Sequence, residues 1–177
     1  MPATVVRAAA IAAASLFTAA AIALPAHAES RTFHDKAGDT GVSGDLKTVR
    51  VNHSEHRVIV VARTGNLLKA DYITVWFDTK SGNAAPEYKV VVRANSDDPR
   101  LNQIGAFGQK GTKVSCDGLR IAADTYSSDK IRVSVPRSCL EHPDKVRVSL
   151  RGRYIYAQRI IDDWAPAERK FFGWVDH

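Results

Sequence analysis

Three aspartates stand close together in FHDKAGDTGVSGDL, Phe33 to Leu46: Asp35, Asp39 and Asp45, with Gly38, Gly41 and Gly44 between them. Carboxylates are the ligands a hard cation needs, and calcium takes about six to eight oxygens from a loop that can wrap it. The trio is therefore the candidate metal site, with calcium as its cofactor. The spacing is not that of an EF-hand, whose acids alternate and close on a glutamate. Aspartate and glycine also make turns for reasons unrelated to metals, so the stretch reads in the first place as an extended lead-in to the first long strand.

A second candidate is aromatic. In DYITVWFDT, Tyr72 and Trp76 fall on one side of an extended segment, and Tyr88 opens the next one, EYKVVVRA. Sugar rings stack on such aromatics in carbohydrate-binding sandwiches, so the three are the candidate ligand-binding residues. The competing reading covers this face with the C-terminal tail and makes it a second core layer.

Catalytic patterns dissolve on inspection. Ser127 to Lys130 matches S-x-x-K and Lys80-Ser81-Gly82 resembles K-T-G, but their order is reversed and Ser127 falls in a turn. There is no H-E-x-x-H and no G-x-S-x-G. His53 and His56 flank a hairpin turn and read as solvated loop residues, having no third ligand nearby. Gly105, Gly108 and Gly111 make a flexible loop without the strand-loop-helix context of a phosphate cradle. No nucleophile sits beside a base, which points away from an enzyme.

The elements that must position these residues are strands. KTVRVN, HRVIVVAR, DYITVWFDT, EYKVVVRA, LRIAA, KIRVSV and KVRVSLRGR alternate apolar with polar residues between Gly, Asn, Asp and Pro clusters. The inward set comprises Val49, Val51, Val58, Val60, Ala62, Ile73, Val75, Phe77, Tyr88, Val90, Val92, Ile131, Val133, Val135, Val146, Val148 and Leu150. Arg132, Ser134, Arg147, Ser149 and Arg151 face water. In HRVIVVAR the other side holds Ile59 and Val61, so both faces of that strand are expected to be covered. PRSCLEH has room for a single helical turn and APAERKFF for a short helix at most. The pattern predicts an all-β, antiparallel β-sandwich of jelly-roll or Ig-like layout. The closing stretch RIIDDWAPAERKFFGWVDH, rich in Trp164, Phe171, Phe172 and Trp174, is expected to pack over it as an aromatic tail.

Residues 1–28 read as a signal peptide: Arg7, a long uncharged run, then Pro25 and Ala26-His27-Ala28. Residues 29–177 then form one domain, secreted and extracellular or wall-associated, with no membrane span. Cys116 and Cys139, the only cysteines, are expected to pair in an oxidising compartment. Such a disulfide stabilises by about 3 kcal/mol. The net charge of +6 is interleaved with acids, which suits anionic envelope polymers or a plain soluble surface and gives no nucleic-acid block.

GDL before an alternating strand, VWFDT followed by PEY, VPRSCL, KVRV and the closing DDWAP…FFGWV, together with Asp35 and Asp39, resemble a group of small secreted bacterial proteins of unassigned function. The resemblance implies a single β-sandwich, distantly similar in layout to calcium-containing carbohydrate-binding modules and DOMON-type domains. It transfers no catalytic residue. Haem does not follow, because Met1 is the only methionine. Three functions remain open: a non-enzymatic domain binding cell-envelope carbohydrate; an inhibitor or partner of a secreted protease acting through NQIGAFGQKGT; and a small hydrolase with an unrecognised site.

Overall fold

The computed structural model of the chain describes residues 28–36, 44–69, 71–94, 96 and 98–177. Residues 1–27 of the expected signal peptide, and Asp39, lie outside them. Two antiparallel sheets face each other, as the alternation requires. The five-stranded sheet runs β1 (Glu29–His34), β2 (Leu46–His53), β3 (Arg57–Thr64), β9 (Lys130–Pro136), β8 (Arg120–Asp124). The seven-stranded sheet runs β11 (Arg159–Ala165), β10 (Lys145–Tyr156), β4 (Tyr72–Asp78), β5 (Tyr88–Arg93), β6 (Leu101–Gln103), β7 (Thr112–Val114), with the short β12 (Val175–Asp176) also paired to β10.

Every apolar residue assigned inward from the sequence is buried between the sheets. Phe77, Ile73, Val75, Leu150 and Val148 from one sheet meet Val49, Val51, Val58, Val60 and Val133 from the other in one cluster. Each such side chain contributes roughly 1.5–3 kcal/mol on leaving water. The Cys116–Cys139 disulfide joins the β7–β8 crossover to the 3-10 turn Arg137–Leu140 that follows β9, tying two sheet-to-sheet connections together.

Three local readings change. Glu29–His34 is an edge strand paired to β2, so Phe33 and His34, read as the start of a lead-in, are the end of a strand instead. Its single bulky apolar residue, Phe33, stacks on Phe172 with ring centroids 4.7 Å apart, so pairing there is chiefly by backbone. RIIDDWA belongs to the sheet as β11. APAERKFF is not helical. Phe171 meets Phe107 while its neighbour Phe172 meets Phe33 on the opposite sheet, and extended chain sends neighbours to opposite sides where a helical turn does not.

His53, expected in solvent, is fully buried at the end of β2, its Nδ1 3.2 Å from the Val175 carbonyl oxygen. Burial pushes its pKa down. No described helix is long and apolar enough to cross a membrane.

Candidate anion-binding face

The predicted aromatic trio divides between the two sides of one sheet. Trp76 and Tyr72 face outward, whereas Tyr88 pairs in register with Phe77 and turns into the core. Burial pushes the Tyr88 hydroxyl up to about 12. Trp76 faces outward yet is only 2% exposed. Trp164 stacks on it with centroids 5.1 Å apart, Phe107 from the β6–β7 loop closes its edge at 5.3 Å, and the Arg151 guanidinium lies over both indoles. Tyr72 is half-buried, its hydroxyl accepting from Arg153 Nη1 at 3.4 Å. On this side of the sheet the aromatics pack against protein.

Of the aspartates, Asp45 is buried and its carbonyl accepts the Gly65 N–H, while the Asp35 N–H donates to the Lys47 carbonyl. No group of three or more His, Cys, Asp or Glu suited to a metal occurs among the described residues. Other acids are drawn inside to serve backbone. Asp163 accepts the Leu46 N–H at 2.6 Å, Asp71 the Leu68 N–H at 2.8 Å and Glu87 the Thr79 N–H at 2.7 Å. Ser127 Oγ donates to Asp124 Oδ2 at 2.5 Å, and this bond and others from Ser127, Ser128 and Tyr126 hold the Asp124 carboxyl well below the usual range. Ser127 and Ser128 close the β8–β9 turn around Asp124, and the S-x-x-K match falls in that turn.

The outer face of the five-stranded sheet is rich in arginine. Sequence repeats one triplet, an arginine between two aliphatics: Val49-Arg50-Val51, Leu119-Arg120-Ile121 and Ile131-Arg132-Val133. Alternation buries the aliphatics and sends the arginine out. Register then arranges the outward residues in rows. One row reads Arg50, Val61, Arg132, Ala122 across β2, β3, β9 and β8. The next reads Asn52, Ile59, Ser134, Arg120. Strands lie about 4.8 Å apart, so Arg50 and Arg132 stand about 10 Å apart at their α carbons, with the β3 aliphatics as a floor between them.

Arg57, at the start of β3, closes one end. Its Nε donates to Ser134 Oγ at 2.7 Å, and its Nη2 to the Gly118 and Ser134 carbonyls at 2.6 and 2.9 Å. The side chain is thereby pinned flat across β9. Burial, then the fields of Arg120 and Arg132, lower its pKa, a sign that three guanidiniums crowd one region. A hollow of about 400 Å³ lies among Arg57, Ile59, Arg120, Ala122, Arg132 and Ser134. A second, of about 220 Å³, continues it past Ile59 and Val61 to Arg50 and Asn52. Among the described residues none of these four arginines has a carboxylate within ion-pairing distance.

The expectation that both faces of β3 are covered is therefore corrected: Ile59 and Val61 are half-buried and floor an open groove. The signal was in the sequence as outward aliphatics beside outward arginines, but only register shows that they share a face. The chain matches no protein-family model, no curated protein and no solved structure.

Proposed function

We propose that this protein is an exported, non-enzymatic binding domain whose ligand is an anionic cell-envelope glycan, held on the arginine face of the five-stranded sheet. One observation carries the reading: four arginines without carboxylate partners border an aliphatic floor. An acidic sugar chain matches both parts, its C–H faces lying on Ile59 and Val61 and its charged groups meeting guanidiniums, which pair with carboxylates in bidentate fashion. The leader-like residues 1–28 support a place outside the cytoplasm, and the disulfide is compatible with it.

Titration with polygalacturonate, against neutral dextran as control, tests this. Binding to the acidic polymer alone, weakening steeply with added salt and reduced at least tenfold in Arg120→Ser/Arg132→Ser, is the expected result. Equal binding of both polymers, or no loss in the double variant, overturns it. The protease-partner reading has less behind it, because Phe107, the bulky residue of NQIGAFGQKGT, turns onto Trp76 instead of standing free.

A further inference from the structure

The seven-stranded sheet is not capped along its whole outer face. The aromatic cover ends at β4, and beyond it the outward residues of β5 are Lys89, Val91 and Arg93, with Asn102 and Lys113 continuing the Lys89 row across β6 and β7. A hollow of about 410 Å³ opens there, bordered by four cations, Lys89, Arg93, Arg100 and Lys110. Among the described residues Asp98 is the one carboxylate lining it, and Arg100 holds it at 2.5 Å. Three cations are thus left without a carboxylate among the described residues. The Lys89 ammonium donates to the Gln109 carbonyl and sits where burial and then Arg151 disfavour its charge. An anion in the hollow relieves both effects.

This hollow and the arginine groove lie on opposite outer faces of the sandwich. Two sheets pack about 10 Å apart, and side chains thicken each outer face further, so ligands on the two faces do not touch. We propose that the β5–β6 hollow is a second anion-binding site and that one molecule joins two anionic polymer chains, one on each side. The proposal rests on the glycan reading above and adds a consequence to it: the domain acts as a cross-link, with the avidity that two tethered sites confer.

Calorimetry with a short oligogalacturonate and light scattering with polygalacturonate test it together. Two oligomers per protein are expected, with scattering that peaks at an intermediate polymer ratio and clears in excess polymer, where each face takes its own chain. Arg93→Ser/Lys110→Ser, changed at exposed positions, retains the fold by thermal melt, binds one oligomer and loses the scattering peak at least tenfold. A stoichiometry of one in the parent protein, or a peak undiminished in Arg93→Ser/Lys110→Ser, overturns the cross-link and leaves the arginine groove standing. Two oligomers still bound by Arg120→Ser/Arg132→Ser overturn the groove instead, and absence of any binding overturns both.

Discussion

KIRVSV (Lys130–Val135) and KVRVSL (Lys145–Leu150) are near copies, and each sends one arginine outward between two buried aliphatics. Arg132 on β9 is exposed and has no ion pair among the described residues. Arg147 on β10 is held by Asp78, a fully buried carboxylate, through Nε at 2.7 Å and Nη2 at 2.6 Å. It also donates to the Asn83 carbonyl and lies under Phe171 and Trp174, at 4.9 and 4.5 Å from their ring centroids. The strands do not differ in any way that explains this. What differs is the chain that crosses them: residues 166–174 and the Phe107 loop lie over β10 and β4, and no described segment crosses the outer side of β3 and β9, where only the Arg57 side chain lies against Ser134. An arginine beneath an aromatic layer is a structural element; one on a bare aliphatic floor is available to a ligand.

The comparison breaks most sharply at the aromatic layer. Trp76→Ala removes a buried indole and its stack, and a loss of about 3–5 kcal/mol is expected in urea unfolding. Ile59→Ala, on the open face, is expected to cost about 1 kcal/mol, because its side chain is already half in solvent. Equal costs would mean the two faces are equally covered.

Next come the paired arginines. Arg147→Ala leaves the buried Asp78 carboxyl without its counter-ion, and is expected to destabilise by about 3 kcal/mol, with part of that recovered in Arg147→Ala/Asp78→Asn. Arg132→Ala is expected to change stability by no more than about 0.5 kcal/mol. On the proposed glycan reading, the same substitution is expected to weaken binding of an acidic glycan about tenfold, roughly 1.4 kcal/mol, whereas a protein in which Arg132 matters for folding and not for binding would erase the distinction.

The smallest effect is a slope with pH at the far end of β2. His53 is disfavoured as a cation first by burial and then by Arg137 and His177, against opposing pulls from its hydrogen bond to the Val175 carbonyl and, more weakly, from Asp176; burial decides the direction. Its folded pKa therefore lies below the unfolded value of about 6.5. The unfolded chain takes up the proton first, so stability is full above about pH 6.5 and falls as pH drops below it, by at most about 1.4 kcal/mol per pH unit. His53→Gln is expected to flatten that part of the curve, as read from melts between pH 5 and 7.5; an unchanged slope would assign it to other groups.

Much of this was legible beforehand at the level of single strands. The two-residue period in KIRVSV or DYITVWFDT states which side chains are apolar together, and burial between sheets follows from that alone. The oxidising pair Cys116 and Cys139 needed only counting. The aromatic face was half legible: Trp76 and Tyr72 do share a side, but Tyr88, which the alternation of its own strand places inward with Val90 and Val92, is one register position out of phase with them and cannot join their face. His53 escaped because a polar residue at a strand end looks like a turn until a distant carbonyl, Val175, is brought against it.

By itself, then, the sequence determined the alternation, the sandwich class and the outward direction of Arg50, Arg120, Arg132 and Arg147. The tertiary structure decided which of them remain open. Hydrophobic periodicity is a local property written along each strand, whereas the neighbours of an outward side chain are set by strand order and by where the 166–174 segment crosses, contacts that span more than a hundred residues in the case of Phe33 and Phe172.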